Sequence, residues 1–574
     1  MIEKIKRLLK RERFAIILVV IFSLGSIFKL IQPGFYEPQD LHHIADIYEM
    51  FRAFASGQIP PRWGPDYLYG YGYPLFNFYY VGPFYLGALI YSISGSLQFS
   101  YEAVFEIGVI IGAIGFYLFA RNHFSKIAAV AGTVLYVYTP YKAVQIYVRG
   151  AMGEFLSLAF LPWTLYFIEK YVKNRNRRWL VFSGLSALFT ILSHNYLWVL
   201  IFGFCGLYFL LKSYFEKNCL SLKVFLIICL FAVASSAYWW LPAIYEQKLL
   251  INQTPFPLVD HFPFIKQLLI PSWGYGASLW GPYDGMSFQL GVVNIIAVLL
   301  AIIAIPVLKI RKLSPIYIWS IVSFFICLFF MNSRSYFIWK IAPFYNLFQF
   351  PWRLLAFTGF FSSILAVIAV DKLLNINKKR LGEFAALFFI VSSIVLTINY
   401  FKPSKIFFKS DPDYLRRMFA NQVRGVGNSV SEEYKNYSED YLLLPKWVIE
   451  KPDALPIYKF GSVGNEIKIL DIKKKSEVSW EADVAVLNPA KLEFNSLYFP
   501  GWKANVDGKE RAISYGKSGQ VELNLNKNDS KVLVYWMETN FRKVADIFSI
   551  VSIILGVYAI LIIKPIKKRN DKKS

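Results

Sequence analysis

The sequence has few charged residues, which make up 17% of its 574 positions. Soluble proteins of this size carry about 25%, so an ordinary water-soluble enzyme is disfavoured. Cysteine is also scarce, and its four residues show neither zinc-site spacing nor a disulfide framework. The phosphate-binding loop, the dinucleotide-binding glycine motif and the nucleophile elbow are missing as well, which argues against a nucleotide-driven pump and a cytosolic nucleotide-sugar enzyme.

Long apolar runs take the place of charge, because 56% of the residues are hydrophobic and 18% are aromatic. A helix that crosses a bilayer needs about 20 mostly apolar residues. The sequence therefore predicts a polytopic α-helical membrane protein with about twelve spans. These predicted spans are 14–31, 101–120, 125–140, 150–169, 179–193, 195–211, 222–241, 287–308, 315–331, 354–370, 381–400 and 544–563.

The net charge of +24 is concentrated in short clusters between these spans. The clusters are 1–13, 121–126, 169–178, 212–223, 309–313, 371–380 and 564–574. Short loops rich in Lys and Arg stay cytoplasmic. With a cytoplasmic N-terminus, all seven clusters are inside only if the further apolar run 75–95 does not cross. We therefore predict a re-entrant or interfacial segment there, two cytoplasmic termini, and a charge excess that sets topology and does not bind nucleic acid.

This topology predicts three domains and places the segments 32–100, 242–286 and 401–543 outside. The transmembrane domain covers 1–400, with 32–100 as its first outer loop, and 544–574 forms a final helix with a basic tail. In the outer domain, 401–543, "VSWEADVAVL", "AKLEFNSLYF", "VELNLN" and "KVLVYW" have the pattern of short strands separated by turns. We predict an extracytoplasmic antiparallel β-sandwich.

The first outer loop contains a run with helical period after Asp40. Its apolar residues share one face and its charged residues Asp46, Glu49 and Arg52 fall largely elsewhere, which predicts an amphipathic helix at the membrane interface. The apolar residues are Leu41, Ile44, Tyr48, Phe51 and Ala55.

Asp40 has two interpretations at the start of this helix. It is either an N-cap, for which Asp is among the best residues, or a carboxylate that acts as a general base or metal ligand at the outer surface. His43 lies three residues further on, so it shares a helix face with Asp40, and His42 is adjacent. Two of the five histidines of the chain are therefore here.

The stretch "PPRWGPDYLYGYGYPLFNFYYVGPFY" alternates aromatic residues with Gly and Pro. It is typical of an aromatic belt at the lipid headgroups, or of a platform for a carbohydrate or an isoprenoid. Arg62, Trp63 and Asp66 are its candidate binding residues. Arg62 is one cationic partner available to a phosphate on this side.

Other candidates lie near the predicted outer ends of spans. Arg149 and Glu154 form either an ion pair or a lid on a cavity, and His194 lies in the outer turn "LSHNYL". Arg353 lies at the predicted outer end of a span, although the positive-inside rule favours Arg on the cytoplasmic side. It either snorkels or meets an anionic partner such as a lipid phosphate.

These segments resemble a bacterial membrane protein family described as 6-pyruvoyl-tetrahydropterin-synthase-related. The first matching run is "DLHHIADIYEMFRAFASGQIPPRWGPDYLYGYGYPLFNFYYVGPFYLGALI". The resemblance continues through "YTPYKAVQIYVRGAMGEFLSLAFLPW", "LSHNYL" and "FQFPWRLLAF". "LYFPGWKANVDGKE" is similar to the outer β-domain of related large membrane proteins.

The family in turn resembles the GT-C glycosyltransferase superfamily, whose members take a sugar from a polyprenyl-phosphate carrier on the outer face. Their hallmark is an acidic residue in the first outer loop, which implies that Asp40 is catalytic. Many members have two adjacent acids there, whereas this chain has Asp40 followed by Leu41, His42 and His43. The resemblance leaves a divalent metal open, with Asp40 as its candidate ligand.

The leading hypothesis is a membrane glycosyltransferase that uses a polyprenyl-phosphate-linked sugar and an envelope glycan, lipid or protein acceptor. In this hypothesis Asp40 is the general base and His43 orients it. Arg353, or Arg149 as second choice, holds the donor phosphate. One alternative is a non-enzymatic transporter or assembly factor for lipid-linked envelope polysaccharide. Another is a scaffold whose β-domain binds a partner.

Overall fold

In a computed structural model, the described residues form a helical bundle, a β-domain and a final long helix. These residues are 12–251, 258–307, 313–341, 349–375, 379–420, 432–435, 442–462 and 464–562. The bundle helices are α1 Glu12–Ile31, α2 His43–Ala55, α3 Tyr67–Gly70, α4 Leu75–Phe78, α5 Gly82–Ser94, α6 Leu97–Arg121, α7 Lys126–Val137, α8 Pro140–Ala143, α9 Met152–Asn174, α10 Arg178–Ser193, α11 Leu197–Glu216, α12 Leu220–Ser235, α13 Ala237–Glu246, α14 Ile265–Leu269, α15 Val292–Val307, α16 Pro315–Met331, α17 Tyr336–Ile341, α18 Leu355–Asn375 and α19 Lys379–Thr397.

Shorter turns and the C-terminal helices complete the helical inventory of the described chain. A π-helical turn covers Val144–Arg149. The 3₁₀ turns are Gln247–Leu249, Leu258–His261, Ser333–Ser335, Pro351–Leu354 and Ile398–Tyr400. Helices α20 Asp411–Met418 and α21 Glu432–Lys435 precede the strands, and α22 Asn540–Ile562 follows them.

Several helices have the length and composition of membrane spans. Among the described residues, six helices qualify singly, and two bent helix pairs raise the number to 8 if each pair is one span. The single helices are Glu12–Ile31, Leu97–Arg121, Leu197–Glu216, Pro351–Asn375, Lys379–Tyr400 and Asn540–Ile560. The twelve predicted runs all coincide with helices, but some are shorter than a bilayer requires. The chain is thus a multi-pass membrane protein, and the number twelve stays a prediction.

The run 75–95 forms α4 and α5, with a break between them. The 13 residues of α5 extend over about 20 Å, which is less than the roughly 30 Å of a hydrocarbon core. Helix α5 packs against α2, and a Cβ at Gly87 would come within 2.7 Å of the Ile47 side chain. The length of α5 agrees with a segment that does not cross, while the side of the membrane stays a prediction.

The β-domain consists of two antiparallel sheets. Their strands are β1 Phe460–Ser462, β2 Ile467–Ser476, β3 Ser479–Val486, β4 Ala490–Leu497, β5 Trp502–Val506, β6 Lys509–Arg511, β7 Ile513–Tyr515, β8 Gln520–Leu525 and β9 Lys531–Trp536. One sheet has the order β1-β4-β8-β7 and the other β2-β3-β9-β5-β6. Phe494 of the first sheet meets Trp502 of the second at 5.3 Å between ring centroids.

The four predicted strands are confirmed as β3, β4, β8 and β9. The sequence pattern missed β2, which lies at a sheet edge and is mostly exposed. Its sequence, "IKILDIKKKS", has lysines where a half-buried strand would have apolar residues. Edge strands commonly carry such charges because they prevent further strand pairing.

The segment 32–100, the predicted first outer loop, joins the β-domain to the bundle. Trp63 packs against Trp502 and Trp536, with ring centroids 5.3 and 4.9 Å apart. The backbone N–H of Leu497 donates to the Tyr71 carbonyl at 2.9 Å. The loop that follows α2 is therefore fixed to both sheets of the β-domain.

Helix α22 is attached to the bundle by a buried ion pair. The Arg542 guanidinium donates to both oxygens of Glu246, through Nε at 3.1 Å to each oxygen and Nη2 at 2.9 Å to Oε2. Glu246 also accepts a hydrogen bond from the side-chain amide of Asn77 on α4. The last helix, α13 and the first outer loop are thus connected by one carboxylate.

Candidate functional site

Asp40 lies just before α2 and is held by the turn that carries Arg149. Its backbone N–H donates to the Arg149 carbonyl at 2.8 Å. Helix α2 begins at His43, and its N-cap, His42, makes no side-chain capping bond, so the N-cap interpretation of Asp40 is wrong. Asp40 is half-buried, and its carboxylate makes no hydrogen bond within the part of the chain that the structure describes.

The buried His43 ring connects Asp40 to the aromatic residues behind it. Its Nδ1 lies 2.7 Å from the Asp40 carbonyl, which can only accept, so Nδ1 carries the proton. Nε2 therefore accepts from the Tyr80 hydroxyl at 2.5 Å. Burial lowers the pKa of His43, which keeps the ring neutral. Tyr80 also stacks on His194, with ring centroids 5.6 Å apart.

A second group of side chains surrounds Glu154 on the first turn of α9. Its Oε2 accepts from Arg149 at 2.9 Å and lies 3.4 Å from Arg353 Nε. Its Oε1 accepts from the Tyr141 hydroxyl at 2.7 Å and the Gln145 amide at 2.9 Å. One carboxylate is thus shared by two arginines from distant parts of the chain.

The charges in this group do not cancel. Arg149 and Arg353 contribute two positive charges, Glu154 contributes one negative charge, and their side chains are 8%, 11% and 2% exposed. Arg149 lies over the Trp352 ring and Arg353 over the Tyr196 ring, at 4.7 and 5.5 Å. The Asp40 carboxylate also attracts Arg149 and offsets the remaining positive charge of this group. Two guanidiniums in such a poorly hydrated place attract an anion more strongly than they would in water.

His194 completes this region as a neutral ring. Burial, followed by the charge of Arg353, lowers its pKa to about 3. Its Nδ1 faces the backbone N–H of Leu197 at 3.4 Å and therefore acts as an acceptor. His194 therefore stacks on Tyr80 and accepts a hydrogen bond, and it adds no charge to this region near neutral pH.

The structure brings seven of the ten predicted site residues into one region. The seven are Asp40, His42, His43, Arg149, Glu154, His194 and Arg353. Arg62, Trp63 and Asp66 lie apart from them. Arg62 pairs with Glu538 at 3.2 Å and with Asp546 at 3.0 Å, and Trp63 packs in the β-domain interface. Asp66 pairs with Arg52.

The sequence pattern missed two buried acids on α2. The sequence places Asp46 and Glu49 largely off the apolar face of α2, and the structure shows that both side chains are nevertheless fully buried. Asp46 accepts from the Tyr67 hydroxyl at 2.6 Å, and Glu49 accepts from the backbone N–H of Asp66 at 3.1 Å. The sequence around these acids shows only that they lie on the polar side of the helix. It does not show that residues 62–70 fold back and cover that side.

His42, His43 and Asp46 have potential metal-ligating atoms within 4.8 Å of one another. The present arrangement does not fit a metal ion. The two imidazole rings are stacked with centroids 4.4 Å apart and planes 26° apart, so their in-plane lone pairs do not converge. Both His43 nitrogens are also used, by the Asp40 carbonyl and the Tyr80 hydroxyl.

We predict that Glu49→Gln becomes more stabilising as pH rises. Burial raises the pKa of Glu49 to about 8. The native state therefore binds the Glu49 proton more tightly than the unfolded state, and stability falls as pH rises from about 4.5 to 8. The melting temperature of the variant in detergent, relative to the natural protein, should increase from pH 5 to pH 8.

The matched control for Glu49→Gln is Glu510→Gln, at an exposed position in β6. Its effect on the melting temperature should be small at both pH values. Equal destabilisation by Glu49→Gln at pH 5 and pH 8 would contradict the protonated, buried Glu49.

Comparison with solved structures finds similarity at low sequence identity. The Archaeoglobus fulgidus oligosaccharyltransferase in the apo form is 13% identical, covers 78% of this chain and 61% of its own chain, and has a TM-score of 0.46. ArnT from Cupriavidus metallidurans bound to undecaprenyl phosphate is 15% identical and has a TM-score of 0.38. The match covers 67% of this chain and 70% of the ArnT chain. This chain thus matches less than two thirds of the length of the first structure.

Sequence comparison gives a clearer result. No curated protein matches the chain significantly. A family model described as a 6-pyruvoyl-tetrahydropterin synthase related domain, of membrane proteins, matches residues 76–404. Since this match covers more than half of the chain, the family predicted from the sequence motifs is confirmed. The chain belongs to the 6-pyruvoyl-tetrahydropterin synthase-related family of membrane proteins.

Proposed function

We propose that this protein is a membrane glycosyltransferase that takes a sugar from a polyprenyl-phosphate carrier and transfers it to an envelope glycan, lipid or protein acceptor. One observation carries the proposal. A half-buried carboxylate without a hydrogen-bond partner in the described chain, Asp40, is tied by its own backbone to Arg149. Arg149 in turn shares Glu154 with Arg353. This transfer requires a base beside cationic groups that can bind a phosphate.

Asp40 would act on the acceptor. A carboxylate that makes no competing hydrogen bond keeps its lone pairs for an incoming hydroxyl and can remove its proton as the oxygen attacks the anomeric carbon. His43 would be a positioning residue, because its Nδ1–H holds the Asp40 carbonyl at 2.7 Å. The acceptor oxygen forms the new glycosidic bond, and its proton ends on Asp40.

Arg353 and Arg149 would act on the donor. As the bond between the anomeric carbon and the carrier phosphate oxygen breaks, negative charge develops on the phosphate. Once the acceptor proton is on Asp40, the two guanidiniums are balanced only by Glu154, and the remaining positive charge stabilises the developing anion. Arg353 is the better candidate, since its buried Nε lacks a hydrogen-bond acceptor among the described residues.

The proposal places this site, the loop 32–100 and the β-rich domain 401–543 outside the plasma membrane, with both termini cytoplasmic. The charge clusters between the spans support this orientation, since they are rich in Lys and Arg. Membrane lipid and the carrier would reach the site from the bilayer, and the acceptor would come from the envelope side.

Asp40→Asn should abolish transfer while the protein still folds, because the amide cannot remove the acceptor proton. The assay uses purified protein and a polyprenyl-phosphate sugar, and follows the release of polyprenyl phosphate together with the melting temperature. We expect a loss of at least about 100-fold in rate, the lower range for general-base catalysis.

The matched control for Asp40→Asn is Glu37→Gln, in the same loop. Glu37 pairs with Lys409 and Arg417 at 2.8 and 2.9 Å and does not belong to the site. This variant should keep most of the activity. Full activity of Asp40→Asn, or equal losses in both variants, would sink the assignment of Asp40.

The proposed orientation can be tested with thiol labelling in intact cells. Cys219 is exposed in the predicted cytoplasmic cluster 212–223, and Lys509 is exposed in the β-domain. A membrane-impermeant maleimide should label Lys509→Cys in a Cys219→Ser background, and should label natural Cys219 only after permeabilisation. The reverse pattern, or labelling of both positions in intact cells, would refute the orientation.

A further inference from the structure

A cavity of about 460 Å³ lies between the far end of α2 and the β-domain. This volume is within the range of about 300–1,000 Å³ that is typical of small-molecule sites. One wall is formed by the first outer loop, from Tyr48 to Gly70, and the other by residues 455–459 and the β2–β3 hairpin. Arg62 and the arginines around Glu154 do not line it, so it is separate from the region around Asp40.

The cavity wall contains a charge network that connects its two sides. Arg52 of α2 pairs with Asp66 from the first loop and, at 2.6 Å, with Glu477 from the β-domain. Lys474 pairs with the other oxygen of Glu477, also at 2.6 Å. The charged groups are therefore matched with one another, and the network favours a neutral ligand over a strong anion.

These paired groups still have hydrogen-bonding capacity. Each carboxylate oxygen can accept more than one hydrogen bond, and the ammonium of Lys474 has three donors. Lys459 donates to the carbonyls of Gly70 and Asn495, at 3.2 and 2.7 Å, which holds its side chain in the wall. A ligand with several hydroxyl groups, each both a donor and an acceptor, matches such a wall.

Aromatic side chains line the same cavity. Trp480 is half-buried on β3, and Tyr48 is half-buried on α2. Tyr69 lies in a turn in which Leu68, Tyr69 and Gly70 all have positive φ, at 50°, 58° and 80°. Two residues other than glycine in this region are unfavourable, and such backbone strain is common at ligand clamps. Aromatic faces pack well on the C–H faces of sugars.

We infer that this cavity binds a neutral sugar unit of an oligosaccharide acceptor, at a distance from the hydroxyl that reacts. The inference rests on the proposed function. From His43 to Arg52 the α2 axis rises by about 14 Å, which is longer than one sugar ring. The cavity would therefore select acceptors that already carry several sugars, and it would align them along α2, which begins just after Asp40.

Binding is measured with the purified full chain and neutral oligosaccharides released from the cell envelope, size-fractionated, stripped of phosphate and labelled at the reducing end. Glu477→Gln and Trp480→Ala should weaken binding by about tenfold or more, as expected when a charge-assisted hydrogen bond or an aromatic contact is lost. Tyr515→Ala removes a half-exposed aromatic residue outside the cavity and should change affinity less than twofold.

Transfer assays then separate this inference from the proposed function. With a long acceptor, Glu477→Gln should raise KM and leave kcat nearly unchanged, whereas a monosaccharide acceptor should be insensitive. The cavity inference alone would be overturned if Asp40→Asn abolished transfer while Glu477→Gln and Trp480→Ala left glycan binding unchanged. Cavity-dependent binding in a protein with no transferase activity would overturn only the proposed function. Binding of peptides in place of glycans would also overturn the inference.

Discussion

The structure of the candidate site depends on one shared carboxylate. Glu154 receives Arg149 from the π-helical turn before α9 and Arg353 from the turn before α18, and without it two guanidiniums would repel each other in a poorly hydrated place. Because the Arg149 carbonyl accepts from the Asp40 N–H, the turn that carries Arg149 also fixes the position of Asp40. Charge pairing thus sets the position of the proposed base relative to the proposed phosphate-binding arginines.

The first outer loop connects this site to the rest of the molecule. Its N-terminal end is hydrogen-bonded to the Arg149 turn, its helix α2 buries Asp46 and Glu49, and its far end packs on the β-domain through Trp63. Burying two acids on one helix is costly unless their protons are retained, as the raised pKa of Glu49 indicates. With both acids buried, α2 is packed on its polar side as well as its apolar side. It therefore forms a rigid connection between the proposed reaction centre and the β-domain.

Short sequence patterns correctly predicted the features of this protein that depend on neighbouring residues. Apolar runs located the helices, alternation located four strands, and isolated charges at span ends located Arg149, Glu154 and Arg353. These patterns could not predict contacts between residues that are far apart in the sequence. Such contacts are the pairing of Arg353 with Glu154 and the covering of the charged side of α2 by residues 62–70. Arg62 and Trp63 illustrate the same limit, since their partners lie in the β-domain and α22.

The central claim is that Arg353 and Arg149 bind the phosphate of a polyprenyl carrier beside Asp40. The most direct measurement compares the binding of a short-chain polyprenyl phosphate and its parent alcohol to the purified protein in lipid nanodiscs. The phosphate should bind at least about tenfold more tightly, and Arg353→Met should remove that difference while Glu154 keeps Arg149 as its partner. Equal binding of phosphate and alcohol, or unchanged discrimination in Arg353→Met, would contradict the account.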